Sequence, residues 1–231
     1  MIRLVLLALA GLVVAAVLRR LSGGGGGRLA RNRRPLDEPE LNRVIGRLAR
    51  AVGIERPPVF AVGSPIVNAF AAPDGGIYLT DGLLAEFKRG RFNAVEMGSI
   101  VAHELGHVAM GHAPKRMRAV WLTHAARAVV FAFVGRFNPA LAIQGGNLLS
   151  QLVLSKLSRS DEFQADAFAT GLMQKAGYGP APQIAMLRKI GALAPAGGAG
   201  QVSWLASHPP IDERVAAIER QVADEHEPAP G

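Results

Sequence analysis

Two histidines four residues apart, in His103-Glu104-Leu105-Gly106-His107, restrict what this chain can fold into more than any other feature. Four residues of α-helix turn through about 400°, so both imidazoles leave one helix face about 6 Å apart and can share a metal ion. Glu104 is offset by one residue. That offset keeps it off the ion but beside an open coordination position, where a carboxylate can take a proton from water. Composition alone would produce this pattern in a chain of this length roughly one time in a hundred. The flanking Ile100, Val101, Ala102, Leu105 and Val108 are apolar, as in a helix buried at the floor of a cleft. Zinc held this way needs a third protein ligand, so the fold has to bring a distant segment back to this helix.

The chain has no cysteine, which leaves the third ligand to the other His, Asp and Glu residues. His112 is near, but it lies five residues after His107 and turns about 140° from the ligand face. The metzincin spacing also needs six residues, with Gly at the third, so His112 is not expected to bind the ion. The segment Ser158-Arg159-Ser160-Asp161-Glu162-Phe163-Gln164-Ala165-Asp166 offers more. Glu162 and Asp166 sit one helical turn apart on the same face, so Glu162 can bind zinc while Asp166 hydrogen-bonds the far nitrogen of a ligand histidine. Read without the histidine pair, the same residues fit an ordinary solvated acidic face.

Length and charge organise the rest. With 231 residues the chain has room for one packed domain and a membrane segment. The net charge of +8 is concentrated in residues 1–50, where ten Arg face Asp37, Glu38 and Glu40. The remainder is almost neutral and has no basic face, so nucleic-acid binding is not expected. An uncharged apolar run, residues 4–18, lies between Arg3 and the pair Arg19 and Arg20. Residues 1–21, with the arginines snorkelling, recover roughly the thickness of a bilayer and are expected to form a transmembrane anchor. A cleaved signal peptide is the alternative, with Val14-Ala15-Ala16 as the small-residue site. The arginines beyond the run place the folded part in the cytoplasm. Residues 22–35 read as a Gly/Arg-rich tether, 36–223 as the folded domain and 224–231 as a disordered tail.

Within the domain, helical periodicity appears over residues 38–52, and short strands are expected at 59–62, 67–71 and 77–80. The histidine helix spans about 93–111, with Pro114 expected to stop it. Apolar stretches at 119–134 and 140–157 are interrupted by His124, Arg127 and Gln144 to Asn147, and read as packed helices or a hairpin dipping into a membrane interface. Further helices are expected at about 161–175, 182–193 and 210–222.

Taken together, Asn68-Ala69-Phe70, the histidine motif followed by His112, Ser-Arg-x-x-Glu-x-x-x-Asp, Ala176-Gly177-Tyr178 and His208-Pro209 with Arg214 resemble the HtpX-like zinc endopeptidases, relatives of the CAAX prenyl proteases and the Oma-type mitochondrial protease. The resemblance runs from about residue 36 to 222. It implies an α+β, mainly helical fold: a gluzincin-type metalloprotease domain with a small β-sheet, preceded by the N-terminal transmembrane helix. It also implies that one Zn2+ is bound by His103, His107 and Glu162, that Glu104 is the base, and that Asn68 meets the substrate. His208, held just before a helix by Pro209 and Pro210, and Arg214, one turn inside that helix, correspond to a His and an Arg that face the zinc, and both suit donation to a developing oxyanion. The implied reaction is peptide-bond hydrolysis of proteins or peptides, often misfolded or misassembled membrane proteins. HtpX itself resembles a multi-pass protein, whereas this chain has one short front span and polar residues in its rear apolar stretches. A membrane-tethered chaperone-like or interaction module with a structural zinc site is the competing function, but such a site is normally closed by four protein ligands and three are counted here. An exopeptidase would need an acidic anchor for a substrate amine, and no motif supplies one.

Overall fold

The computed structural model of the protein describes residues 32–72, 74–193 and 211–226. The expected anchor (1–21), most of the tether (22–35) and His208 lie outside the described residues, as does the tail beyond His226.

Pro39 supplies a preset φ at a helix start, and Leu41, Val44, Ile45 and Leu48 recur at helical spacing, so helix α1 (Pro39–Val52) forms with one buried apolar stripe. The sheet has four strands in the order β1-β2-β4-β3. Strand β1 (Arg33–Pro35) pairs antiparallel with β2 (Val59–Val62), which runs parallel to β4 (Ile77–Thr80), and β3 (Ala69–Ala71) is an edge strand antiparallel to β4. β1 was not expected. It falls in the segment read as tether, so the folded part begins before residue 36. Thr80 ends β4 and caps helix α2 (Asp81–Lys88).

Helix α3 (Ala94–Ala109) opens on a capping box in which Asn93 accepts the Val95 and Glu96 amides while Glu96 accepts the Asn93 amide. Gly111, at φ 62°, breaks the helix, and α4 (His112–Val134) starts at once. Pro114 therefore lies in the first turn of a new helix, where its missing N–H costs nothing, and is not the stop expected. Helix α5 (Pro139–Lys175) joins what read as two separate helices, because Ser158-Arg159-Ser160 contains no breaker. Helices α6 (Ala181–Leu193) and α7 (Ile211–His226) follow.

α3 is the central element. One side packs Met97, Ile100 and Val101 against Leu41, Ile45, Leu79, Leu187 and Ile190, and the other packs Ala102 against Val44, Leu48, Ala169 and Met173. Small residues set the approach of α5. A Cβ added to Gly106 would lie 3.0 Å from the Cα of Ala165, so α3 and α5 touch almost backbone to backbone. Beyond this crossing, α4 and the first half of α5 pack on each other as a hairpin. Among the described residues, no helix is long and apolar enough to cross a membrane.

Candidate metal centre

The close α3–α5 crossing carries Glu162 to the histidine pair. His103 and Glu162 are 0% and 1% exposed, and His107 lies at the half-buried edge. The His103 and His107 Nε2 atoms are 3.1 Å apart, Glu162 Oε2 lies 3.2 Å from His103 Nε2, and Glu162 Oε1 lies 3.3 Å from His107 Nε2. A tetrahedral zinc with N and O ligands at about 2.0–2.1 Å has ligand–ligand edges of about 3.3 Å, so these three groups fit the ion. No other group of three or more potential His or carboxylate ligands occurs among the described residues.

The outer nitrogens of both histidines are engaged. A metal on Nε2 takes that lone pair and leaves the hydrogen on Nδ1. For His103 that hydrogen points to Asp166 Oδ1 at 2.9 Å. Asp166 in turn accepts two bonds from the buried Arg214, Nε to Oδ2 at 2.6 Å and Nη2 to Oδ1 at 2.7 Å, and Gln183 donates to its backbone carbonyl at 3.2 Å. Burial works against the Asp166 anion, but Arg214 and His103 overcome it and hold the carboxyl well below the usual carboxylate range. The described contacts of Arg214 are to Asp166 and to the Nδ1 edge of His103.

His112 is the residue whose position the sequence did not reveal. Its Nδ1 lies 2.8 Å from His107 Nδ1. With the hydrogen of His107 on Nδ1, His112 accepts it and carries its own hydrogen on Nε2, which faces the buried Asp161 at 3.7 Å. Lys115 reaches Asp161 at 3.1 Å. Each ligand histidine is therefore backed by a chain of polar groups, one ending on α7 and the other on α4.

Glu104 is buried beneath the pair. Its Oε2 accepts the Ala71 amide of β3 at 2.9 Å, and its Oε1 has no hydrogen-bond partner among the described residues. Burial, with Glu162 nearby, pushes the Glu104 carboxyl up to about 7 against the pull of His103 and the Ala71 amide. Asn68 stands at the head of β3, its amide donating to Thr80 Oγ1 at 2.9 Å and its side-chain oxygen accepting the Ala69 amide at 2.9 Å.

The sequence model of peptidase family M48 matches residues 35–222. The chain is similar to metalloprotease YcaL of Escherichia coli (strain K12), 32% identical over 68% of this chain and 59% of that protein. It is also similar to metalloprotease LoiP of the same organism, 32% identical over 68% of this chain and 60% of that protein. Protease HtpX of Nitrosococcus oceani is 30% identical over 80% of this chain and 72% of its own length. The chain thus spans about three fifths of the length of the two Escherichia coli relatives.

Proposed function

The chain belongs to peptidase family M48, and from that premise and the geometry of its buried cluster we propose that it is a zinc-dependent endopeptidase acting on proteins or peptides. The observation that carries the reading is a cluster of three side chains, with the His103 and His107 Nε2 atoms 3.1 Å apart and one Glu162 oxygen within 3.2 or 3.3 Å of each, beside a buried carboxylate whose other oxygen has no described partner. Zinc held by His103, His107 and Glu162 would supply a Lewis acid that makes water a nucleophile and polarises the scissile carbonyl.

Glu104 takes the proton from the attacking water and returns it to the leaving amine. The Ala71 amide fixes one oxygen, which leaves the other, without a described partner, to accept the proton and give it back. β3 is the sheet edge joined to Glu104 by that bond, so it is the strand along which an extended peptide adds, with Asn68 at its head. His208 donates to the developing oxyanion. Arg214 holds Asp166, and through it the ring of His103, as a positioning residue. The apolar run and its trailing arginines support a single-pass anchor with the folded part in the cytoplasm, and misfolded membrane proteins as substrates suit that location.

The count of three protein ligands among the described residues favours this reading over a structural zinc site in a tethered interaction module. The test is degradation of casein by the purified chain before and after chelation. Hydrolysis should cease on chelation and return with about one equivalent of zinc per chain. Activity that survives complete metal removal would sink the proposal.

A further inference from the structure

The hairpin of α4 and α5 beyond the metal centre is unlike the rest of the surface. Its helices meet through small side chains, including Ala119, Thr123, Ala142 and Gly146, and a Cβ on Gly146 would lie 3.1 Å from Arg127 Cγ. Its large apolar side chains point outward. Among the described residues, twelve of the sixteen exposed large apolar ones lie between 121 and 153, including Trp121, Leu122, Phe133, Leu148 and Leu152, and Phe137 at the tip is 87% exposed. A continuous apolar surface of this kind on a two-helix arm marks a contact site.

Charge identifies what it contacts. No Asp or Glu occurs between Glu104 and Asp161, whereas Arg118, Arg127, Arg136, Lys156 and Arg159 all lie in that stretch. Arg136 sits at the tip with its guanidinium 5.8 Å from the Phe133 ring centre. The partner must therefore be apolar within and negative at its surface. A second copy of the chain would bring like charge against like charge. His124 and Arg127 interrupt the apolar stretch of α4, and among the described residues no helix is long and apolar enough to cross a membrane.

We propose that this arm is an interfacial membrane contact, which seats the Phe133–Arg136–Phe137 tip among the headgroups and upper acyl chains of an anionic bilayer. The inference does not depend on the protease reading. It has a consequence for it, because α4 begins at His112, against the metal centre. A helix of 23 residues is about 35 Å long, so the centre stands that far from the tip. An extended segment of about ten residues leaving the membrane would reach it.

The N-terminal apolar run would by itself carry the chain to vesicles, so the test needs a local probe. The absence of cysteine allows Ala140→Cys beside Phe137, with Glu55→Cys in the exposed loop after α1 as control, each labelled in the full chain with an environment-sensitive fluorophore. On phosphatidylcholine vesicles containing phosphatidylglycerol, the residue-140 label should shift to the blue and be quenched by lipid-borne nitroxides, while the residue-55 label stays in water. The lipid concentration for half the shift should rise on the order of tenfold on pure phosphatidylcholine or with Arg136→Glu/Lys156→Glu. A residue-140 label that stays in water on vesicles carrying the bound chain overturns the proposal. So does an equal response on neutral vesicles, or a blue shift without vesicles that grows with protein concentration, which would assign the arm to self-association.

Discussion

His103 and His107 are chemically alike, yet the fold backs them differently, one by a carboxylate fixed by Arg214 and the other by a second histidine. Groups that hold a ligand histidine from behind typically contribute 10- to 100-fold in metal affinity. His112→Ala should therefore weaken zinc binding about 10- to 100-fold in a chelator competition, with little change in the melting temperature of the metal-free protein. Unchanged zinc affinity would remove His112 from the centre. The histidine pair was legible in the sequence because helix geometry converts a four-residue spacing into a shared face. His112 was not, since extending the same helical count put it about 140° away. Gly111 breaks that count, and the restart at His112 swings the side chain onto the outer nitrogen of His107. The paired bonds of Arg214 to Asp166 were not legible in the sequence, because they depend on the packing of α7 beside Asp166.

The α3–α5 crossing decides whether Glu162 reaches the histidines. Replacing glycine by alanine inside a helix ordinarily stabilises by about 0.5–1 kcal/mol. At Gly171, whose added Cβ meets nothing within 4 Å, that gain should appear. At Gly106 the added Cβ would lie 3.0 Å from Ala165 Cα and 3.1 Å from its carbonyl oxygen, and backbone cannot swing aside as a side chain can. Overpacking of this kind costs about 1–3 kcal/mol, which outweighs the propensity gain. Gly106→Ala should lower both the melting temperature and zinc affinity, while Gly171→Ala raises the melting temperature and leaves zinc affinity alone. Equal behaviour of the two variants would remove the crossing from the account. Element positions were largely legible from apolar periodicity and turn residues. Three were not: β1 forms where arginine and glycine suggested a tether, Pro114 opens a helix, and α5 runs unbroken from arm to metal centre. β1 depends on a partner distant in sequence, β2, whereas the other two have local causes, the break at Gly111 and the absence of a breaker at 158–160.

For the whole molecule, the sequence beyond residue 50 is almost neutral in sum but not uniform: where no basic face was expected, the arm of α4 and α5 carries basic residues without acidic ones beside its exposed apolar side chains. The functional account depends on the buried cluster at the base of that arm. Its central claim is a division of labour, with metal binding assigned to His103, His107 and Glu162 and proton transfer assigned to Glu104. The most direct test measures zinc content and casein hydrolysis together on the purified full chain and its Glu104→Gln variant. The account predicts about one zinc per chain in both, with turnover in the variant reduced at least 10²-fold, at the low end of what general base catalysis contributes. A variant that hydrolyses casein at the wild-type rate, or one that loses its zinc with its activity, would contradict it.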